Sequence, residues 1–189
     1  MRSRERFEAV RRQQFRRYFQ PSRIVLGVLP AKSESGVNII TLCFDMHCSY
    51  KPPMMAVAIQ RGSVSYELIG QAKQWVLAVP GSSLVRETLF CGVTSMRETD
   101  KVKRLGLELC PSTHISVPGL RKAIANIELE RVKCVETGDH VVAIGKVLKF
   151  GVNSQRKELP LLSIGPDLAG YKLLARHGIH RIGVININD

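Results

Sequence analysis

Gly36-Val37-Asn38-Ile39-Ile40-Thr41-Leu42-Cys43 and, a few residues on, Ser49-Tyr50-Lys51-Pro52-Pro53-Met54-Met55-Ala56-Val57-Ala58-Ile59 decide how this chain folds. Each holds a short run of β-branched or aliphatic residues, and a Ser-x-x-Pro-Pro turn separates them, which is the pattern of two strands and a break rather than of a helix. Further runs of the same kind cover Ile24–Leu29, Trp75–Val79, Ile127–Val135, Val141–Phe150 and Arg181–Ile187, with strands expected over Val37–Phe44 and Met54–Gln60 in the opening pair. Gly, Pro, Ser or Asn breaks separate most of them, and no long helices alternate with them. The chain therefore reads as mainly β with minor α: an antiparallel sheet or barrel, not a doubly wound α/β domain. Helical interludes are expected at Ser83–Phe90, after Pro80-Gly81-Ser82, and at Asp100–Leu105, where Asp100 can cap the first turn.

The chain has 189 residues, 44% of them hydrophobic, enough for one domain with its own core. Twenty-eight basic against 16 acidic residues give a net charge of +12, which attracts phosphates, nucleotides or nucleic acid. Eight Arg and two Glu in residues 1–23 supply +6 of that total. Within this segment Phe7, Val10, Phe15, Tyr18 and Phe19 follow helical spacing up to Pro21, so a solvated helix docked by one face is expected over residues 1–20, ahead of a domain at 21–189. Five cysteines without a CxxC pair argue against both a disulfide framework and a zinc ribbon and suit a reducing, cytoplasmic compartment. No apolar stretch approaches the roughly 18 residues that a membrane span requires.

Two stretches could carry chemistry: Asn38 to Ser49, and Arg61-Gly62-Ser63-Val64-Ser65-Tyr66. Hydroxyls, backbone N–H groups and a guanidinium at strand-to-turn junctions can converge on a phosphate, although the same residues serve ordinary turns. There is no GxGxxG and no P-loop. His47 near Cys43 and Cys48 lacks the four regularly spaced ligands of a metal site, so no metal is expected.

The order of the motifs narrows the reading. Pro21-Ser22-Arg23-Ile24-Val25-Leu26-Gly27-Val28 is followed by Gly36-Val37-Asn38-Ile39-Ile40-Thr41 and then by Ser49-Tyr50-Lys51-Pro52-Pro53. After these come Ser65-Tyr66-Glu67-Leu68-Ile69, the strand Gln74–Pro80, Gly92 with Ser95, Asp100-Lys101, Gly138-Asp139-His140, and Pro160-Leu161 with Gly170-Tyr171. In this order, over about residues 21–175, the chain resembles the flavin reductase-like family of FMN-binding split barrels. The departures are Cys43 where many members have Ser, Val102 where Phe is usual, and the Arg-rich opening.

The resemblance implies an antiparallel, Greek-key-like split β-barrel with a few short helices and an NAD(P)H:flavin oxidoreductase activity, with FMN (FAD possible) as cofactor and NAD(P)H as co-substrate. It places Asn38, Thr41 and Cys43 along the flavin ring and ribityl chain, Cys48 and Ser49 at the pyrimidine edge, and Arg61, Ser63, Ser65 and Lys101 around the phosphate. His140 is implied for nicotinamide placement or proton supply, the competing reading being a satisfied structural histidine. A homodimer is implied, with a monooxygenase or other electron acceptor as partner. Two other readings remain: a flavoredoxin-like electron carrier without free NAD(P)H turnover, and a nucleic-acid-binding β-barrel. Aromatics amounting to 6% of the chain count against the last.

Overall fold

The computed structural model describes residues 9, 11, 17–166 and 168–186. In chain order the strands are β1 (Ser22–Arg23), β2 (Val25–Pro30), β3 (Val37–Leu42), β4 (Asp45–Tyr50), β5 (Pro53–Gln60), β6 (Gln74–Val79) and β7 (Leu109–Cys110). They continue with β8 (Gly119–Leu120), β9 (Ala125–Thr137), β10 (His140–Val152), β11 (Leu162–Ser163), β12 (Tyr171–His177) and β13 (His180–Ile185). Among the described residues three α-helices interrupt them: α1 (Val64–Gln71), α2 (Val85–Val93) and α3 (Lys101–Leu105).

Seven strands form one sheet in the order β3-β2-β6-β9-β10-β5-β4, every pair antiparallel. Its two edge strands, β3 and β4, are consecutive in sequence and joined only by Cys43-Phe44. Six steps of about 4.8 Å would hold the edges of a flat sheet roughly 29 Å apart, whereas the three Cα steps from Leu42 to Asp45 reach about 11 Å at most. The sheet therefore has to curl into a barrel, and the Ala58 amide donates to the Phe44 carbonyl (2.9 Å) at the seam.

Burial explains why the inner strands are continuous apolar runs. On β2, Val25 and Leu29 point into the barrel with Trp75, Leu77 and Leu129. The alternate residues Leu26 and Val28 pack outward with Val76, Ala78, Cys91 and Val102. A β-bulge at Ile144/Gly145 fits the indole: a Cβ on Gly145 would lie 2.7 Å from Trp75 Cζ2. A smaller sheet, β1-β11-β13-β12, docks through buried Ile24, Leu161, Ile182 and Val184.

The strands expected from sequence are present with shifts of at most two residues at their ends, and the mainly β architecture stands. Asp100 caps α3 as expected, its Oδ1 accepting from the Val102 and Lys103 amides (3.0 and 3.2 Å). The expected helix at Ser83–Phe90 is a 3₁₀ turn at Ser82–Leu84 followed by α2, which runs on to Val93. Most of the expected N-terminal helix lies outside the described residues. Its last part, Arg17–Phe19, is a 3₁₀ turn, with Tyr18 and Phe19 exposed at 64% and 67%.

Candidate functional site

The barrel seam at Cys43-Phe44 organises the residues singled out from sequence, because alternation along β3 sends neighbouring side chains to opposite faces. On the outer face, Thr41 Oγ1 donates to the Thr88 carbonyl of α2 (2.6 Å). Gly92 allows that approach, since a Cβ there would stand 3.3 Å from Thr41 Cβ. A narrow cleft of about 40 Å³ follows, with Thr41, Cys43, Thr88 and Gly92 on one side and His180 and Arg181 of β13 on the other.

At the end of the barrel, Phe44 meets His140, their ring centroids 5.5 Å apart. Gly138-Asp139 is the two-residue turn of the β9–β10 hairpin, with Thr137 paired to His140 and Gly138 at φ 37°. Asp139 Oδ1 lies 2.7 Å from His140 Nδ1, which leaves Nε2 as the ring atom for other contacts. Next to it, the Arg61 amide donates to the Asp139 carbonyl (2.9 Å). The Arg61 guanidinium binds Glu136 (Nε to Oε2, 2.9 Å), which also accepts from the Tyr66 hydroxyl (3.1 Å). That carboxylate holds the Arg61 pKa above the ordinary guanidinium value. Ser63 caps α1: its Oγ donates to the Gln60 carbonyl (2.8 Å) and accepts from the Tyr66 amide (3.1 Å).

Asn38 and Ser65 are both buried and bonded to each other, Nδ2 to Oγ at 2.9 Å. Asn38 Oδ1 and Thr88 Oγ1 are among the described buried polar atoms without a hydrogen-bond partner. Lys101 was expected in a phosphate shell, but its side chain runs beneath β3, 4% exposed. Its Nζ donates to the carbonyls of Ile39 (2.6 Å) and Cys91 (3.3 Å), and burial pulls its pKa down. Cys91 beside it is pushed up to about 11 by its own burial, so it behaves as an inert thiol. Cys48 occupies the bulge between His47 and Ser49 on β4 and is exposed, with Ser49 half-buried.

The structure thus pairs His140 with Phe44, ties the Arg61 backbone to the same hairpin turn with Ser63 at the start of α1, lines the cleft with Thr41 and Cys43, and buries Asn38, Ser65 and Lys101. Sequence reading missed Phe44, Thr88, Glu136, His180 and Arg181. Nothing local marks an aromatic in a two-residue seam, and His180-Arg181 lies more than a hundred residues from Cys43 in the chain. A wider open groove of about 600 Å³, between Pro30, Lys73, Gln74, Ser116, Glu130 and Arg131, contains none of the sequence-predicted residues. Among the described residues no group of three His, Cys, Asp or Glu could hold a metal ion, and no helix is long and apolar enough to cross a membrane.

Residues 19–168 match the family model described as a flavin reductase like domain. An uncharacterized protein of Archaeoglobus fulgidus is 33% identical over 134 residues, covering 69% of this chain and 72% of that protein. Among solved structures, a flavoredoxin from Methanosarcina acetivorans superposes with a TM-score of 0.74 at 20% identity, over 92% of this chain and 94% of its own. An FMN-binding protein from Thermus thermophilus, with bound p-hydroxybenzaldehyde, gives 0.71 at 21% identity, over 89% and 94%.

Proposed function

Because the chain belongs to the flavin reductase-like domain family, we propose that it is an FMN-binding NAD(P)H:flavin oxidoreductase, FAD being the alternative flavin. The observation that carries this reading is the Phe44–His140 contact at the end of the barrel, with Arg61 and Ser63 in the turn that follows β5 and the Arg61 amide bonded to Asp139. Phe44 and Met46, exposed at 57% and 55%, offer apolar surface to a ring system. The hydroxyls and guanidinium match a phosphate ester, and the unpartnered Asn38 Oδ1 and Thr88 Oγ1 leave hydrogen-bonding capacity next to Ser65 and Thr41. This is the mixed lining that an amphipathic cofactor needs, so the residues fit a flavin.

When bound, the flavin would supply the hydride-accepting ring. The chain's own part is alignment and proton handling. Phe44 orients by stacking area. Asp139 fixes the His140 ring through Nδ1, so that Nε2 can hold or deliver a proton or place a carboxamide. Arg61 and Ser63 receive the phosphate, with Cys48 and Ser49 on the polar edge. Lys101, Asn38 and Ser65 support the wall from within.

None of the five cysteines is joined in a disulfide, and a reducing compartment such as the cytoplasm is part of this proposal. A homodimer is part of this proposal; light scattering of the flavin-loaded protein is expected to give twice the 21.1 kDa chain mass, and a mass of one chain would contradict it. The electron acceptor is a monooxygenase component or another redox protein. The direct test of activity is NADH and NADPH oxidation in the presence of FMN, FAD or riboflavin. Turnover well above the protein-free rate is expected. Flavin binding without turnover would instead assign an electron carrier of the flavoredoxin type.

A further inference from the structure

The β12–β13 hairpin lies beyond residue 168, where the match to the family model ends. Between Tyr171 and Ile185 it contains no Asp or Glu, but it carries Lys172, Arg176, His177, His180 and Arg181. One of its faces is occupied, because Ile182 and Val184 are buried with Ile24 and Leu161 and pack near Leu89 of α2. Alternation along β13 turns Arg181, Gly183 and Ile185 to the opposite face, and the register sets Arg176, Leu173 and Tyr171 beside them. Leu173 and Ile185 are exposed there, and Ile179, in the two-residue Gly178-Ile179 turn, is 75% exposed at the tip. Arg176 stands directly opposite Arg181, and like charges facing each other across a ladder destabilise it. The only bond shown for the Arg176 side chain is from Nε to the Gly178 carbonyl (3.2 Å), and among the described residues no carboxylate pairs with either arginine. The outward face therefore sets aliphatic side chains among guanidiniums and brings no anion of its own.

We propose that this outward face and its tip form a docking surface for an acidic protein, one that presents carboxylates around an exposed apolar side chain. Arginine at the rim of a small apolar patch is the composition of a protein interface. A positive field without local compensation steers an acidic partner toward it and fixes the partner's orientation. A second copy of this chain does not suit the face, since a two-fold contact would bring four guanidiniums together. A nucleic-acid strand does not suit it either, because half-buried Tyr171 is the hairpin's only Phe, Tyr or Trp and there is no stacking platform. Arg176 and Arg181 point away from the face whose Ile182 lines the Cys43 cleft, so this surface is separate from that cleft. The inference stands on charge, register and exposure and does not rest on flavin binding.

The test uses the full chain, the double variant Arg176→Gln/Arg181→Gln, and the single variant Ile179→Ser at the exposed tip. Lys133→Gln/Lys146→Gln, on exposed positions of β9 and β10, controls for the loss of two charges elsewhere. Matched circular dichroism spectra establish that each is folded, and I179S keeps the test decisive if the double variant is not. The probe is a fluorescein-labelled peptide in which glutamates flank a central phenylalanine, titrated by anisotropy at about 20 mM salt. The wild type and K133Q/K146Q are expected to bind it alike, R176Q/R181Q about tenfold more weakly, and I179S several-fold more weakly with its salt dependence retained. Peptide affinities of R176Q/R181Q and I179S equal to wild type would overturn the proposal. It would also fall if single-stranded DNA of about 20 nucleotides bound more tightly than the peptide and lost that binding in R176Q/R181Q, which assigns a nucleic-acid surface. Light scattering that shows R176Q/R181Q reduced from a dimer to single chains would equally overturn it, since the face would then be a contact between copies.

Discussion

His140, Glu136 and Lys101 separate the roles that side chains play at the barrel end. His140→Ala removes the imidazole that Asp139 orients, so the protein is expected to keep its flavin while NADH-driven reduction slows by about 10²-fold or more. Stopped-flow rates equal to wild type would leave His140 a purely structural hairpin residue. Glu136→Gln weakens the hold on the Arg61 guanidinium and is expected to tighten FMN binding. Unchanged or weaker FMN affinity would remove Arg61 from the phosphate contacts. Lys101→Met takes donors away from the Ile39 and Cys91 carbonyls, the latter in the last turn of α2 where a cation is favourable, and is expected to lower unfolding free energy by about 1–3 kcal/mol. Urea denaturation measures it, and an unchanged midpoint would contradict the tethering role. The identity of Lys101 was readable in the sequence, but its burial was not. A charged residue after an N-cap reads as a surface cation until a strand and a second helix are known to cross above it.

Elements show the same division. The continuous apolar runs of β2, β3, β5 and β6 and the Asp100 cap were legible because local patterning and backbone chemistry dictate them. β4 was not: Asp45-Met46-His47-Cys48-Ser49-Tyr50 is an edge strand with mostly exposed side chains, so no buried face imposes alternation on it. The bulge at Gly145 makes a sharp demand. Gly145→Ala would drive a methyl into the Trp75 ring and is expected to destabilise the fold by about 1–3 kcal/mol, seen as a lower melting temperature; full retention would contradict the close packing. Three carboxylates tie loops and helix starts to the barrel: Asp100 through Ser35 and the α3 amides, Glu128 through Thr113 and His114, Glu158 through Ser83 and Arg156. Burial pulls each pKa up, but the hydrogen bonds outweigh it and leave the folded values below the ordinary 3.8, 4.5 and 4.5. A depressed carboxylate pKa stabilises the fold above the unfolded value, and that stability goes as pH falls through the folded one. Urea midpoints should therefore hold near neutrality and fall between about pH 5 and pH 2. A midpoint independent of pH across that range would contradict these clamps.

For the whole molecule, strand order was beyond sequence reasoning, since joining the β2–β3 and β4–β5 hairpins through β6, β9 and β10 is a long-range outcome of building and curling the sheet. That closure makes the site: it puts Phe44 in a two-residue seam against His140, almost one hundred positions later in the chain, and turns Thr41 and Cys43 toward β13. The function follows only if an isoalloxazine ring and its phosphate bind there. The most direct measurement is the visible spectrum of the purified protein after incubation with FMN and removal of free ligand, with the released chromophore quantified against protein. The expected result is a retained yellow-flavin spectrum at about one FMN per chain, reduced through Cys43→Trp, which would fill the cleft. A colourless protein that takes up neither FMN nor FAD would contradict it.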